Sequence, residues 1–156
     1  MSANTTAQAR FKHVIEYARE EAVLRGDRRI GTDHLLLALL HDGDAPPARA
    51  LRVSLADGRA ALEELDRAAL AAIGVQLDMP LTPPQVRAKR LVNVNSAARA
   101  AITGAKAQAQ ADGSRRIEPR HLLLSLLTAR HPDPAADLLA ALSVPAEDVR
   151  ARLAAA

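Results

Sequence analysis

Cysteine and tryptophan are absent, and Phe11 and Tyr17 are the only aromatics in 156 residues. Without cysteine there can be no disulfide, thiolate metal centre or cysteine nucleophile, and a reducing cytoplasm is the simplest expected compartment. No run of eighteen apolar residues occurs, and the opening MSANTTAQARFKH has no apolar stretch behind a basic one, so neither a membrane span nor export is expected. None of the seven glycines is followed by lysine, which excludes a G-x-x-x-x-G-K-[ST] phosphate loop. There is no G-x-S-x-G elbow to activate a serine and no H-E-x-x-H phrase to hold zinc. Glu20-Glu21 and Glu63-Glu64 are adjacent pairs, and neighbours on a helix point about 100° apart, so spacing does not make them a general acid and base. An enzyme is not expected, nor a cofactor, nor a metal.

What the chain does have is 49% apolar residues, drawn from Leu, Ala, Val and Ile. Leucine and alanine are strong helix formers, so the expected fold is all-α without a sheet. Net charge is +3, from 21 Lys and Arg against 18 Asp and Glu scattered along the chain. A nucleic-acid binder concentrates its cations and, for single strands, adds stacking aromatics, so nucleic acid is not the expected partner.

The segment RRIGTDHLLLALL (28–40) matches RRIEPRHLLLSLL (115–127) at nine of thirteen positions, at an offset of 87 residues. The same offset pairs Gly26 with Gly113, Leu51 with Leu138, Leu55 with Leu142 and Leu62 with Val149. The chain is a duplication. Each copy predicts four helices. In the first, Val14, Ala18 and Ala22 stripe a long helix that ends at Gly26, Thr32 is the expected N-cap of a helix apolar all round, Pro46-Pro47 open a third, and Leu62, Leu65 and Ile73 mark a fourth. In the second, Asn95 is the expected N-cap of a helix faced by Ala97, Ala101, Ala105 and Ala109. Pro119 opens the apolar helix, and His131-Pro132-Asp133-Pro134 makes the next turn. The boundaries expected are 1–73 and 94–156, joined by a basic, proline-containing linker at 74–93 with a short helix from Val86.

The phrase IGTDHLLLALLHDGD, after AREEAVLRGDRR, resembles the Clp N-terminal (Clp R) repeat found at the head of Clp-family chaperone ATPases. The second copy keeps Ile117, His121 and the leucines but carries Glu118-Pro119-Arg120 where the family has Gly-Thr-Glu. The resemblance implies two tandem four-helix repeats related by a pseudo-twofold axis. ATPase modules are missing here, so the chain is expected to be a free-standing domain or a piece of a longer protein.

The resemblance also implies two equivalent pockets for phosphorylated arginine, in which the acid of the Gly-Thr-Glu-His phrase meets the guanidinium. Carried over by position, the first pocket is Gln8, Thr32 and Asp33, and the degenerate second is Asn95, Pro119 and Arg120, where Arg120 would repel a guanidinium. The competing reading of Asp33 is a simple acid at a helix N-terminus. His34 and His121 read as structural histidines bonded to the preceding turn. Arg28-Arg29 and Arg115-Arg116, with Arg87, Lys89, Arg90 and the linker apolars Leu77, Met79 and Leu81, are a candidate partner surface or solvated loops. The expected function is a monomeric module that binds a protein or peptide, whether a Clp ATPase, an adaptor or a substrate, and modulates a Clp chaperone–protease. The alternatives are sequestration of a peptide aimed at that machine and a basic, nucleic-acid-associated regulator.

Overall fold

The structure is a computed structural model that describes residues 2–76 and 93–155, with side chains from Arg10 onward. The first repeat holds α1 (Ser2–Leu24), α2 (Thr32–Leu39), α3 (Pro46–Leu51) and α4 (Leu55–Ala72), and the second α5 (Ser96–Ala111), α6 (Pro119–Leu126), α7 (Pro134–Ala141) and α8 (Ala146–Ala155). Leu77, Met79, Leu81, Arg87, Lys89, Arg90, the expected helix from Val86 and the Gln8 side chain lie outside the described residues.

Long helices end alike in both copies. Gly26 and Gly113 adopt φ of 73° and 75°. The next residue's N–H then bonds five residues back, Asp27 to the Ala22 carbonyl and Ser114 to that of Ala109, each at 2.9 Å. This left-handed cap is where glycine has no Cβ penalty. The turn delivers the chain into α2 and α6, the centre of each repeat. Leu35, Leu36 and Leu37 are wholly buried, as are Leu122 and Leu123. Removing each such side chain from water is worth about 2 kcal/mol.

Three local expectations are revised. The N-cap of α2 is Gly31, with Thr32 at the first helical position; the cap's N–H is met by the His34 ring instead of a hydroxyl. The buried face of α5 starts at Ala98, not Ala97, and continues through Ala101, Ala105 and Ala109. A sheet does exist, though minimal: β1 (Arg29–Ile30) pairs in parallel with β2 (Asn93–Val94), and the Asn95 N–H extends the ladder to the Ile30 carbonyl at 2.9 Å. Buried backbone groups need partners, and here the segments leading into α2 and α5 satisfy one another.

Within each repeat the first two helices form a hairpin, α1 on α2 and α5 on α6. Across repeats α2 meets α7 as α6 meets α3, and α4 meets α7 as α8 meets α3. Those reciprocal contacts are the pseudo-twofold axis, and they join the copies in one core running from Val14 to Val149.

Candidate functional site

The two helix starts, α2 and α6, are where the duplication places its candidate ligand residues. Each is anchored by a buried histidine. Gly31 N–H donates to His34 Nδ1 at 2.8 Å, and His34 Nε2 meets Asp27 Oδ2 at 2.7 Å. In the second copy Glu118 N–H donates to His121 Nδ1 and His121 Nε2 meets Asp112 Oδ2, both at 2.8 Å. Because Nδ1 accepts, the proton sits on Nε2 and is given to the carboxylate. Both ring nitrogens are occupied, so these histidines are structural. Burial pushes the Asp27 carboxyl up, but the hydrogen bond from His34, with the charge and hydrogen bond of Arg25, outweighs it and holds the group below its usual range. Asp112 is lowered further, first by the hydrogen bond from Ser114 and then by that from His121.

At the start of α2, the Asp33 carboxylate folds back over Gly31. A Cβ on Gly31 would sit 2.6 Å from Asp33 Oδ1 and 3.2 Å from Asn95 Nδ2. Asn95 therefore belongs beside Asp33, brought there by the β1–β2 ladder, and is not gathered with Arg120 as positional equivalence suggests. Its Oδ1 caps α5 by accepting from Ala98 N–H at 2.9 Å, which leaves its amide nitrogen as a donor. Asp33 is only 14% exposed, and among the described residues nothing donates a hydrogen bond to it. Its 3.5 Å approach to His34 Nδ1 sets two acceptors side by side. Thr32 is committed elsewhere. It is buried, donates to Asp133 Oδ1 at 2.9 Å and accepts from Ala135 N–H at 3.2 Å, tying α2 to the start of α7.

The start of α6 is built differently. Arg120 reaches Glu118 Oε2 at 2.6 Å and Asp112 Oδ2 at 2.8 Å, with Ser114 Oγ at 3.3 Å. The bond to Glu118, reinforced by both acid charges against a modest burial, raises its pKa. The repeat thus fills its own acidic corner with its own guanidinium. At the offset of 87, the Thr32–Asp133 hydrogen bond becomes Pro119 and Pro46, which cannot form one. There the surface opens into a cavity of about 230 Å³ walled by Arg10, Pro46, Pro47 and Pro119. It adjoins one of about 260 Å³ in which Tyr17 stacks on His41 with ring centroids 4.3 Å apart. His41 in turn binds Glu21, a carboxylate almost fully buried and held by Arg59 as well. Burial would raise Glu21, but hydrogen bonds from Arg59 and His41 bring it below its ordinary value.

Arg28, Arg29 and Arg115 are exposed and Arg116 partly so, in the two equivalent turns. Among the described residues no three His, Asp or Glu side chains are grouped to hold a metal ion, and no helix is long and apolar enough to cross a membrane. Of this groove the sequence reading named Pro119 and Arg120 but passed over Arg10, Tyr17, Pro46 and Pro47, because its walls come from several helices with no shared motif.

A helical duplication with histidine-anchored helix starts defines a class of double-repeat binding fold, and the comparisons specify it. The Clp repeat (R) N-terminal domain family matches residues 2–92 and again 93–156, so the chain belongs to that family. Among solved structures, the N-terminal domain of the caseinolytic protease associated chaperone ClpD from Arabidopsis thaliana superposes with a TM-score of 0.69 over 94% of this chain and 93% of that one, at 18% identity. That likeness speaks for the fold. Among curated proteins, none matches.

Proposed function

We propose that this chain is a non-enzymatic binding module that takes up cationic protein segments through Asp33 and modulates a Clp chaperone–protease by presenting substrates or engaging its adaptors. Membership of the Clp N-terminal family supports the setting. The observation that carries the site is the Asp33 carboxylate, largely covered yet without a donor among the described residues, with a free amide N–H of Asn95 beside it. A covered carboxylate left unmatched is costly, and a guanidinium entering from a partner would supply two parallel donors. Phosphoarginine is the expected form, its phosphoryl oxygens facing the Asn95 amide. At the other repeat the position equivalent to Asp33 is Arg120 itself, already paired with Glu118 and Asp112, so one pocket serves.

Peptides bearing phosphoarginine, arginine or lysine, titrated against the wild-type chain and Asp33→Asn, test this. The reading expects the phosphoarginine peptide to bind most tightly and the Asn variant to lose about tenfold or more in affinity, with its melting temperature kept. Equal binding by the two proteins would remove Asp33 from the site. Capture of Clp ATPase subunits or adaptors from lysate by the wild-type chain, reduced with Asp33→Ala, is the corresponding cellular result.

A further inference from the structure

α3 and α8 belong to different repeats and lie against each other, fastened by Arg152 Nε donating to the Ala50 carbonyl at 2.7 Å. Between them opens a cavity of about 320 Å³ lined by Pro46, Arg49, Ala50, Arg52, Arg152 and Ala155. Among the described residues three guanidinium groups line this space and no carboxylate does. Among the described residues Arg49 and Arg52 form no ion pair, and Arg152 spends only its Nε, on a carbonyl.

The fold does not require this arrangement. At the offset of 87, Arg49, Arg52 and Arg152 correspond to Ala136, Leu139 and Leu65, and there α7 packs on α4 with Leu139 buried. On one side of the pseudo-twofold axis this contact is sealed by apolar side chains; on the other it carries three like charges. Arg49 and Arg152 fall in the last turns of their helices, where the macrodipole favours a cation. The dipole also favours a cation at Arg52, just past the end of α3, but it does not account for the backbone there. Arg52 caps α3 in the left-handed region at φ 57°, which glycine adopts without a Cβ penalty and asparagine with help from local hydrogen bonds.

We propose that Arg49, Arg52 and Arg152 form a site for a dianionic phosphate monoester, borne by a protein segment or free in solution. A single carboxylate would neutralise one of three clustered guanidinium groups, whereas a phosphate monoester brings close to two charges and three acceptor oxygens to planar donor forks. None of these residues takes part in the Asp33 site, so either proposal can fail alone.

The experiment is an anisotropy titration at fixed ionic strength. It uses a labelled peptide with one phosphoserine in neutral surroundings, the same peptide with glutamate in its place, and inorganic phosphate as competitor. The phosphoserine peptide should bind saturably and the glutamate peptide about tenfold more weakly. Arg49→Gln and Arg52→Gly should each weaken the phosphoserine peptide and together abolish its binding. Arg52→Gly also relieves the left-handed backbone, so affinity lost while the melting temperature holds or rises belongs to the guanidinium and not to unfolding. Competition by inorganic phosphate at the peptide's own concentration range assigns the site to free phosphate. Competition only at far higher concentrations assigns it to a protein-borne group, and both uphold the site. Equal affinity for the glutamate peptide, or undiminished binding by the double variant, overturns it.

Discussion

Gly104 shows how narrowly one residue can set the approach of two helices. A Cβ there would come within 2.3 Å of Ser125 Oγ and 3.3 Å of its Cβ, while Ser125 itself donates to the Ala101 carbonyl at 2.7 Å. Alanine is about 1 kcal/mol better than glycine inside a helix, so a propensity argument expects Gly104→Ala to stabilise. We expect the reverse, a loss of about 1–3 kcal/mol from overpacking in urea unfolding. The pair Gly104→Ala with Ser125→Ala should recover much of it, and strictly additive losses would contradict the clash. At this scale the sequence was partly legible. His34 and His121 were readable as structural from their place after the turn, but their acid partners were not. Asp27 and Asp112 do not correspond at the offset of 87, where Asp27 faces Ser114 and Asp112 faces Arg25. Two copies reached one contact from different positions, and no alignment of the copies contains that.

Helices were the most legible elements, since leucine and alanine spacing, Gly26, Gly113, Pro46 and Asn95 all mark starts or stops that the structure keeps. What spacing could not supply is which ends meet. The β1–β2 ladder is two residues per strand, too short to leave a period in the sequence, yet it decides that Asn95 stands at Asp33. The start of α7 is similar. Asp133 caps it by accepting from Ala135 N–H at 2.9 Å and simultaneously accepts from Thr32 of the other repeat. Asp133→Ala removes a cap and a cross-repeat bond at once and should cost about 2 kcal/mol, whereas Asp133→Asn, which keeps the acceptor, should cost less than half of that. Thr32→Val, removing only the hydroxyl, should fall between wild type and Asp133→Ala. Denaturant midpoints of the three proteins give the order, and a Thr32→Val loss as large as that of Asp133→Ala would mean the cap itself contributes nothing.

Across the whole molecule, stability should depend on acidity in a definite direction. Glu21, Asp27 and Asp112 all have folded pKa values below their ordinary ones, so the folded chain holds these protons more weakly than the unfolded chain. Their stabilisation is complete above the unfolded carboxylate values near about 4, and is lost as pH falls through the lower folded values. Melting temperatures measured from about pH 6 down to about pH 2 should hold and then fall steeply at the acid end. A flat profile would show that these carboxylates are not differentially bound.

The duplication supplies two helix starts, but Arg120 lies across the acids of its own copy while Asp33 has no donor among the described residues. On the function proposed above, a scaffold with twofold ancestry acts as a monovalent reagent. Calorimetric titration of the Arg49→Gln, Arg52→Gly double variant with a short phosphoarginine peptide should return one equivalent per chain, and a target carrying two such groups should gain no avidity from a single copy of it.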